Sequence, residues 1–272
     1  MKMEKVRNTK EKIDALKRIK YFLLDMDGTF YLENKILEGS LEFLEEIKKR
    51  SIKTLFLTNN SSKPVDAYLE KLKNMGAPEE FLNVITSGDA TLRFAKQHYP
   101  NKKAYLLANQ IVSKDMLAKD LLVDLEDPDY VILTYDTELD YHKLDRICYF
   151  IRQGLPYIAS HPDLNCPMSY GFAPDIGATI AYIKASTGRL PDKIIGKPNA
   201  EIINDGLEVL GAKREEVAMV GDRLYTDVEA AIQNGLLGIL VLSGETDLDM
   251  LAASDIKPDL VYDSLLDIID DL

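Results

Sequence analysis

The chain has 272 residues, a formal net charge of −12, two cysteines and no tryptophan. At roughly 100–200 residues per domain, this length predicts two domains or one large domain carrying an insertion. Apolar residues at 46% and charged residues at 29% exclude disordered and collagen-like chains, and the longest nearly unbroken apolar run, Leu236–Leu242, falls far short of the ~20 residues that span a bilayer. Cys148 and Cys166 are too few for a disulfide framework and form no Cys-x-x-Cys pair, so the chain reads as cytoplasmic. The acidity argues against nucleic acid or an anionic membrane as partner, since both need a basic footprint. It is uneven: residues 1–20 carry eight Lys/Arg against three Asp/Glu, a net +5, which leaves −17 for the remainder. That basic stretch has no apolar h-region and reads as a solvated leading helix rather than a signal or transit peptide. The open question is whether the −17 serves only solubility or partly a cation site.

Along the chain, short apolar runs with little polar alternation predict strands buried on both faces of a parallel sheet. They are Tyr21–Leu24, Thr54–Leu57, Val84–Ile85, Lys193–Ile195, Val217–Val220 and Gly238–Leu242. Amphipathic stretches lie between them. Leu41, Leu44 and Ile47 share a helical face, as do Val65, Leu69 and Leu72, with Pro64 suited to a first turn and Gly76 just past the end. Ile203, Leu207 and Leu210 precede Gly211, and Val228, Ala231 and Ile232 precede Gly235. Between about Asp89 and Asp192 come further strands (Ala104–Leu107, Tyr130–Tyr135, Tyr157–Ala159) and helices near Leu139–Arg152 and Gly177–Ser186. This alternation predicts an α/β fold: a Rossmann-like parallel-sheet core over residues 1–88 and 193–272, interrupted by a smaller inserted α/β domain over 89–192.

The residues just past these runs carry the chemistry. Ligands of open parallel sheets bind beyond the carboxyl ends of the strands. Tyr21–Leu24 runs into Asp25-Met26-Asp27-Gly28-Thr29, Leu55–Leu57 into Thr58-Asn59-Asn60-Ser61-Ser62, Ile194–Ile195 into Gly196-Lys197-Pro198, and Val217–Val220 into Gly221-Asp222-Arg223. Asp25, Asp27 and Asp222 would repel one another unless a cation joined them, and hard oxygen ligands in that number suit Mg²⁺. Lys197 and the Thr58–Ser61 donors suit phosphate oxygens, and the helix starting near Pro64 offers free N–H groups to an anion. Asp227, in the first turn of the next helix, is placed to orient the site. Bland readings fail on spacing. Counted from Asp25 as a calcium loop, Phe30 stands where the glycine should be and Ile36 where the terminal glutamate should be. As a P-loop, Gly196-Lys197 lacks the glycine five residues earlier and is followed by proline.

These motifs, together with Ile195-Gly196-Lys197-Pro198, Ala185-Ser186-Thr187-Gly188-Arg189 and Gly221-Asp222-Arg223-Leu224-Tyr225-Thr226-Asp227, resemble the haloacid dehalogenase superfamily. They most resemble its NagD-like branch, which includes p-nitrophenyl phosphatases and pyridoxal phosphate phosphatases. The resemblance implies that the insert is a C2-type cap and that the chain is a phosphatase of small phosphorylated metabolites. It further implies Asp25 as the nucleophile that becomes an aspartyl-phosphate, and Asp27 as acid and base. Asp25, the Asp27 main-chain carbonyl and Asp222 would hold Mg²⁺ with Asp227 in support, while Thr58, Asn59, Asn60 and Lys197 would bind phosphate. Caps of this branch can pair, which admits a homo-oligomer, with Tyr130–Tyr135 as one surface. The chain departs from the pattern at Asp175, where many relatives have glycine, and at His161, where asparagine is common. His161 reads as a loop or surface residue; Asp163 and Asn165 are the cap candidates for touching the leaving group. A mutase or phosphotransferase using the same aspartyl-phosphate is an alternative. Another is a phosphorylatable metal-binding regulator, although receiver domains are smaller and lack the acid that Asp27 supplies.

Overall fold

The computed structural model describes residues 8–168 and 170–272, so of the basic stretch only its second part is seen, as a helix over Lys10–Leu16 that Thr9 caps. The chain separates into two compact units. One comprises the described residues up to Leu57, Leu69–Ile85 and Ile203–Leu272, and the other the described residues of Thr58–Tyr68 and Thr86–Ile202.

The strands of the first half are Tyr21–Leu24 (β1), the small pair Tyr31–Leu32 (β2) and Lys35–Ile36 (β3), Lys53–Thr58 (β4) and Val84–Thr86 (β5). Ala104–Leu107 (β6), Tyr130–Leu133 (β7), Tyr157–Ala159 (β8), the hairpin Asn165–Met168 (β9) and Gly171–Pro174 (β10), and Lys193–Ile194 (β11) come next. Val217–Gly221 (β12), Leu237–Val241 (β13) and Leu260–Tyr262 (β14) complete the set. Among the described residues, six strands form one sheet in the order β14-β13-β12-β1-β4-β5. Its pairings from β14 to β4 are all parallel, with Leu24 opposite both Phe56 and Val220. Because β1 lies between two parallel neighbours, Phe22, Leu23 and Leu24 are wholly buried, which is why this segment reads as an unbroken apolar run.

Helix Ser40–Lys49 buries Phe43, Leu44 and Ile47. Phe43 takes the inward place expected of Leu41 because its ring meets Phe22 edge to face, centroids 5.3 Å apart. Such a pair contributes about 0.5–1.5 kcal/mol beyond area burial. Helix Ala200–Leu210 approaches the sheet at Gly206, where a β-carbon would stand 3.1 Å from Leu23 and 3.4 Å from Leu55.

The second unit holds a four-stranded sheet in the order β11-β8-β7-β6, also parallel. Helices Tyr141–Arg152 and Ile176–Thr187 pack Ile147, Ile151, Ile180 and Ile183 against Val131, Leu133 and Tyr157. Lys193–Ile194 pairs with β8 here and is only half-buried, unlike the doubly buried strand its apolar run predicts; it stands at this sheet's edge. Strand β14, with Pro258 just before it, and the β9–β10 hairpin have no counterpart in the sequence-based expectation. Among the described residues, no helix is long and apolar enough to cross a membrane.

Candidate active site

Asp25 is the first residue past β1, and its N–H donates to the Val220 carbonyl at 2.9 Å, carrying the ladder with β12 one step beyond the strand. The chain then folds back tightly. Phe30 and Tyr31 N–H groups donate to the Met26 carbonyl at 2.9 and 3.1 Å, and Gly28 N–H donates to the Tyr31 carbonyl at 2.8 Å. Gly28 adopts φ +90°, and a β-carbon there would strike the Asp222 carboxylate, so only glycine allows the turn and the close approach together. Buried Met26 and Phe30, the latter edge to face with Phe56 at 4.9 Å, anchor the turn from below.

Strand β12 ends at Gly221 and delivers Asp222 beside Asp25. The segment Leu224–Val228 is a single wide turn of π-helix that brings Asp227 back toward the strand end, and Gly221 has no side chain to obstruct its carboxylate. Carboxylate oxygens of Asp25, Asp222 and Asp227 all lie within 4.8 Å of one another, and all three residues are buried. Burial, and next the negative charges of Asp25 and Asp227, push the Asp222 carboxyl well above the ordinary range. The Glu245 N–H opposes this by donating to Asp222 Oδ2 at 2.7 Å. Three desolvated carboxylates held this close are the donor set expected of a divalent-cation site.

Asp27 stands apart from that cluster. It is half-buried; burial raises its proton affinity, the Asp25 charge adds to the rise, and Lys71 and Arg223 oppose it. Tyr31 donates its hydroxyl to Asp27 Oδ2 at 3.4 Å, and Lys71 Nζ sits 3.5 Å from the centre of the Tyr31 ring.

Within the second unit, Thr58, Asn59, Ser61 and Ser62 are buried and Asn60 half-buried. Thr58 Oγ1 accepts from Asn60 N–H at 3.1 Å, and Asn60 Oδ1 accepts from Ser62 N–H at 3.0 Å, so the segment is pinned by its own side chains. The Asn59 amide clamps the Lys197 backbone, accepting from its N–H at 2.8 Å and donating to its carbonyl at 3.0 Å. The same Nδ2 donates to Asp163 Oδ1 at 3.0 Å. Lys197 is only 2% exposed, a burial lysine seldom reaches without a paired role. Of the cap candidates, Asp163 is buried beside Asn59, whereas Asn165 is exposed on β9. His161 does lie in a loop but is fully buried, not on the surface; its hydrogen bonds to Ser160 and Asp175 account for that.

Sequence reasoning missed the support around Asp222. The segment Ser243-Gly244-Glu245-Thr246 supplies the Glu245 amide, and Thr29 Oγ1 lies 3.4 Å from Asp222 Oδ1. Arg223 holds the Glu245 carboxylate at 2.9 Å, and a β-carbon on Gly244 would collide with Asp222. The signal was available, since this segment lies just past the carboxyl end of β13.

A family model described as haloacid dehalogenase-like hydrolase matches residues 22–121, and a HAD-hydrolase-like model matches 194–268. The acid sugar phosphatase of Staphylococcus saprophyticus is 33% identical over 258 residues, spanning 94% of this chain and 99% of its own. The 4-nitrophenylphosphatase of Thermotoga maritima superposes with a TM-score of 0.90 at 43% identity, covering 94% of this chain and 98% of its own. NagD from E. coli K-12 superposes with a TM-score of 0.82 at 31% identity, covering 91% and 97%. This chain therefore belongs to the haloacid dehalogenase-like hydrolases, on the branch of NagD and the p-nitrophenyl phosphatases, and is a phosphoric monoester hydrolase.

Proposed function

We propose that the protein hydrolyses small phosphate monoesters with Mg²⁺ through an aspartyl-phosphate on Asp25, using Asp27 as general acid and base. The supporting observation is the division between two carboxylates two residues apart. Asp25 belongs to the cluster with Asp222 and Asp227, and Asp27 lies outside it with its proton affinity raised. One is suited to attack and the other to carry a proton. Asp25, Asp222 and the Asp27 main-chain carbonyl would hold the metal, with Asp227 beside them. Bound there, Mg²⁺ would offset the carboxylate repulsion and the charge on the phosphoryl oxygens.

In the first step an Asp25 carboxylate oxygen bonds to phosphorus as the bond to the ester oxygen breaks, and Asp27 gives its proton to the departing alkoxide. In the second, Asp27 takes a proton from water, the resulting hydroxide bonds to phosphorus, and the Asp25–phosphorus bond breaks to release inorganic phosphate. Thr58, Asn59, Asn60 and Lys197 are assigned to the phosphate oxygens, because phosphoryl transfer depends chiefly on positioning and charge neutralisation. The inserted unit is read as a cap, with Asp163 and Asn165 as its candidates for touching the leaving group. The names of the Staphylococcus and Thermotoga relatives favour sugar phosphates as the first natural esters to try and p-nitrophenyl phosphate as the reporter.

The test is hydrolysis of p-nitrophenyl phosphate by purified protein with Mg²⁺, repeated with EDTA and with Asp25→Asn. Turnover should require metal, and Asp25→Asn should lose at least about a thousandfold in kcat. Metal-independent turnover, or a fully active Asp25→Asn protein, would refute the reading.

A further inference from the structure

His161 and Asp175 form a buried pair with no part in the mechanism above, although they are 0% and 5% exposed and joined through His161 Nε2 to Asp175 Oδ1 at 3.0 Å. The same Asp175 oxygen accepts the Ile176 N–H at 2.6 Å. A carboxylate only accepts, so this contact places a proton on Nε2, and in the neutral ring Nδ1 is then the acceptor. Nδ1 lies 2.9 Å from Ser160 Oγ, and Ser160 Oγ lies 2.9 Å from Ser61 Oγ, which accepts the Tyr135 N–H at 2.8 Å. The donors then run one way: Ser61 hydroxyl to Ser160, Ser160 hydroxyl to His161, His161 Nε2–H to Asp175.

That chain touches both segments assigned to phosphate. Ser61 belongs to the Thr58–Ser62 loop. Ser87 Oγ, 3.3 Å from His161 Nδ1, donates to the Asn59 carbonyl. On the other side, Gly196 N–H donates to the Ser160 carbonyl at 2.6 Å. A β-carbon on Gly196 would lie 2.6 Å from Asn59 Oδ1 and 2.8 Å from His161 Cβ. The Gly196-Lys197 turn thus rests directly on Ser160, His161 and Asn59, and Asn59 grips the Lys197 backbone.

We propose that the buried chain Asp175–His161–Ser160–Ser61 is a positioning device that holds the Asn59 and Lys197 segments in register to grip a phosphate. In this role Asp175, His161 and Ser160 act through the two loops rather than on the phosphate itself. Asp175 orients the imidazole, the imidazole orients the Ser160 hydroxyl, and the two loops are thereby fixed relative to each other. Reading these loops as a phosphate grip rests on the proposed function, so the experiment measures binding and turnover separately.

The variants are Ser160→Ala, which removes one hydroxyl and no bulk, His161→Gln, which keeps a donor toward Asp175 and loses the acceptor for Ser160, and the pair Asp175→Ala and Asp175→Asn. Inorganic phosphate affinity is read by calorimetry with Mg²⁺ present, kcat and KM with p-nitrophenyl phosphate, and melting temperature in parallel. Ser160→Ala, His161→Gln and Asp175→Ala should weaken phosphate binding and raise KM together by about 5- to 20-fold, the scale of one or two lost hydrogen bonds. Asp175→Asn keeps an oxygen for both of its bonds and should recover to within about threefold of wild type. Lowered melting temperatures with phosphate affinity unchanged would overturn the inference, as would an Asp175→Asn protein as impaired as Asp175→Ala. A wild-type protein that binds phosphate but turns over no ester would instead refute the catalytic reading, leaving the positioning role to be judged on the phosphate affinities.

Discussion

Without metal, the carboxylates of Asp25, Asp222 and Asp227 are a liability to the fold, and Asp222→Asn should relieve it. With oxygens at most 4.8 Å apart, each ionised pair repels by roughly 3–4 kcal/mol at an effective dielectric near 20. Asp222 takes part in two such pairs. Burial and the charges of Asp25 and Asp227 raise the proton affinity of Asp222, which lessens that cost as pH falls. Asparagine keeps an oxygen for the Glu245 amide and loses the charge, so a net gain of roughly 1–3 kcal/mol in EDTA at neutral pH is expected, or about 2–10 °C in melting temperature. The sign with pH comes from linkage. A carboxyl with a raised folded-state pKa contributes its stability fully below the unfolded pKa and loses it as pH rises through the folded pKa. The variant's advantage should therefore be near zero around pH 3.5 and grow toward neutrality. Mg²⁺ should reverse the order, because wild type at about 1,000 times its Kd gains about 4.1 kcal/mol while the variant has lost a ligand. Thermal unfolding of both proteins from pH 3.5 to 8, with EDTA and with Mg²⁺, decides it. A variant less stable than wild type in EDTA at pH 7, or a difference independent of pH, would show that the three carboxylates do not repel as described.

Asp27→Asn should lower kcat by about 10²–10⁴, and by less for p-nitrophenyl phosphate, whose good leaving group needs little protonation, than for a sugar phosphate. Since donation needs protonated Asp27, wild-type kcat for the poor leaving group should fall as pH rises through its raised pKa, and pH–rate profiles of the two proteins should show that limb only in wild type. Gly244→Ala pushes a methyl group into the Asp222 carboxylate and should weaken Mg²⁺ activation by about 10- to 100-fold with little change in far-ultraviolet circular dichroism. Phe43→Ala empties the space against Phe22 and should cost about 3–5 kcal/mol in urea unfolding, leaving KM unchanged in the folded protein.

Much of the site is legible at strand ends. Asp25 and Asp222 come directly after apolar runs that, buried between parallel neighbours, cannot carry polar side chains until the strand leaves the sheet. The runs announce the strands, and the first polar residues after them announce the site. Asp227 is harder to place, because helical spacing alone puts it in a first turn, and only the wide π turn carries its carboxylate in with Asp25 and Asp222. His161 leaves no trace at all. A histidine in the polar loop His-Pro-Asp-Leu-Asn has no periodicity to mark it as buried, and its partners Ser160 and Asp175 are ordinary loop and cap residues until folding assembles them. Lys193–Ile194 is too short a run to choose between sheets, and its pairing with β8 is settled by the backbone of Ala159 and Ile158.

By itself, then, the amino-acid order determined the α/β alternation, the carboxylates, the lysine and the hydroxyl-amide segment, because buried parallel strands and turn chemistry are local properties written residue by residue. It also disclosed a candidate cation site inside the −17 of residues 21–272. Tertiary structure alone decided that Asp222 is held by the Glu245 amide and crowded by Gly28 and Gly244. It alone separated Asp27 from the cluster and buried His161 beneath the Lys197 turn. Those outcomes depend on distances between segments far apart in the chain, which no local pattern encodes.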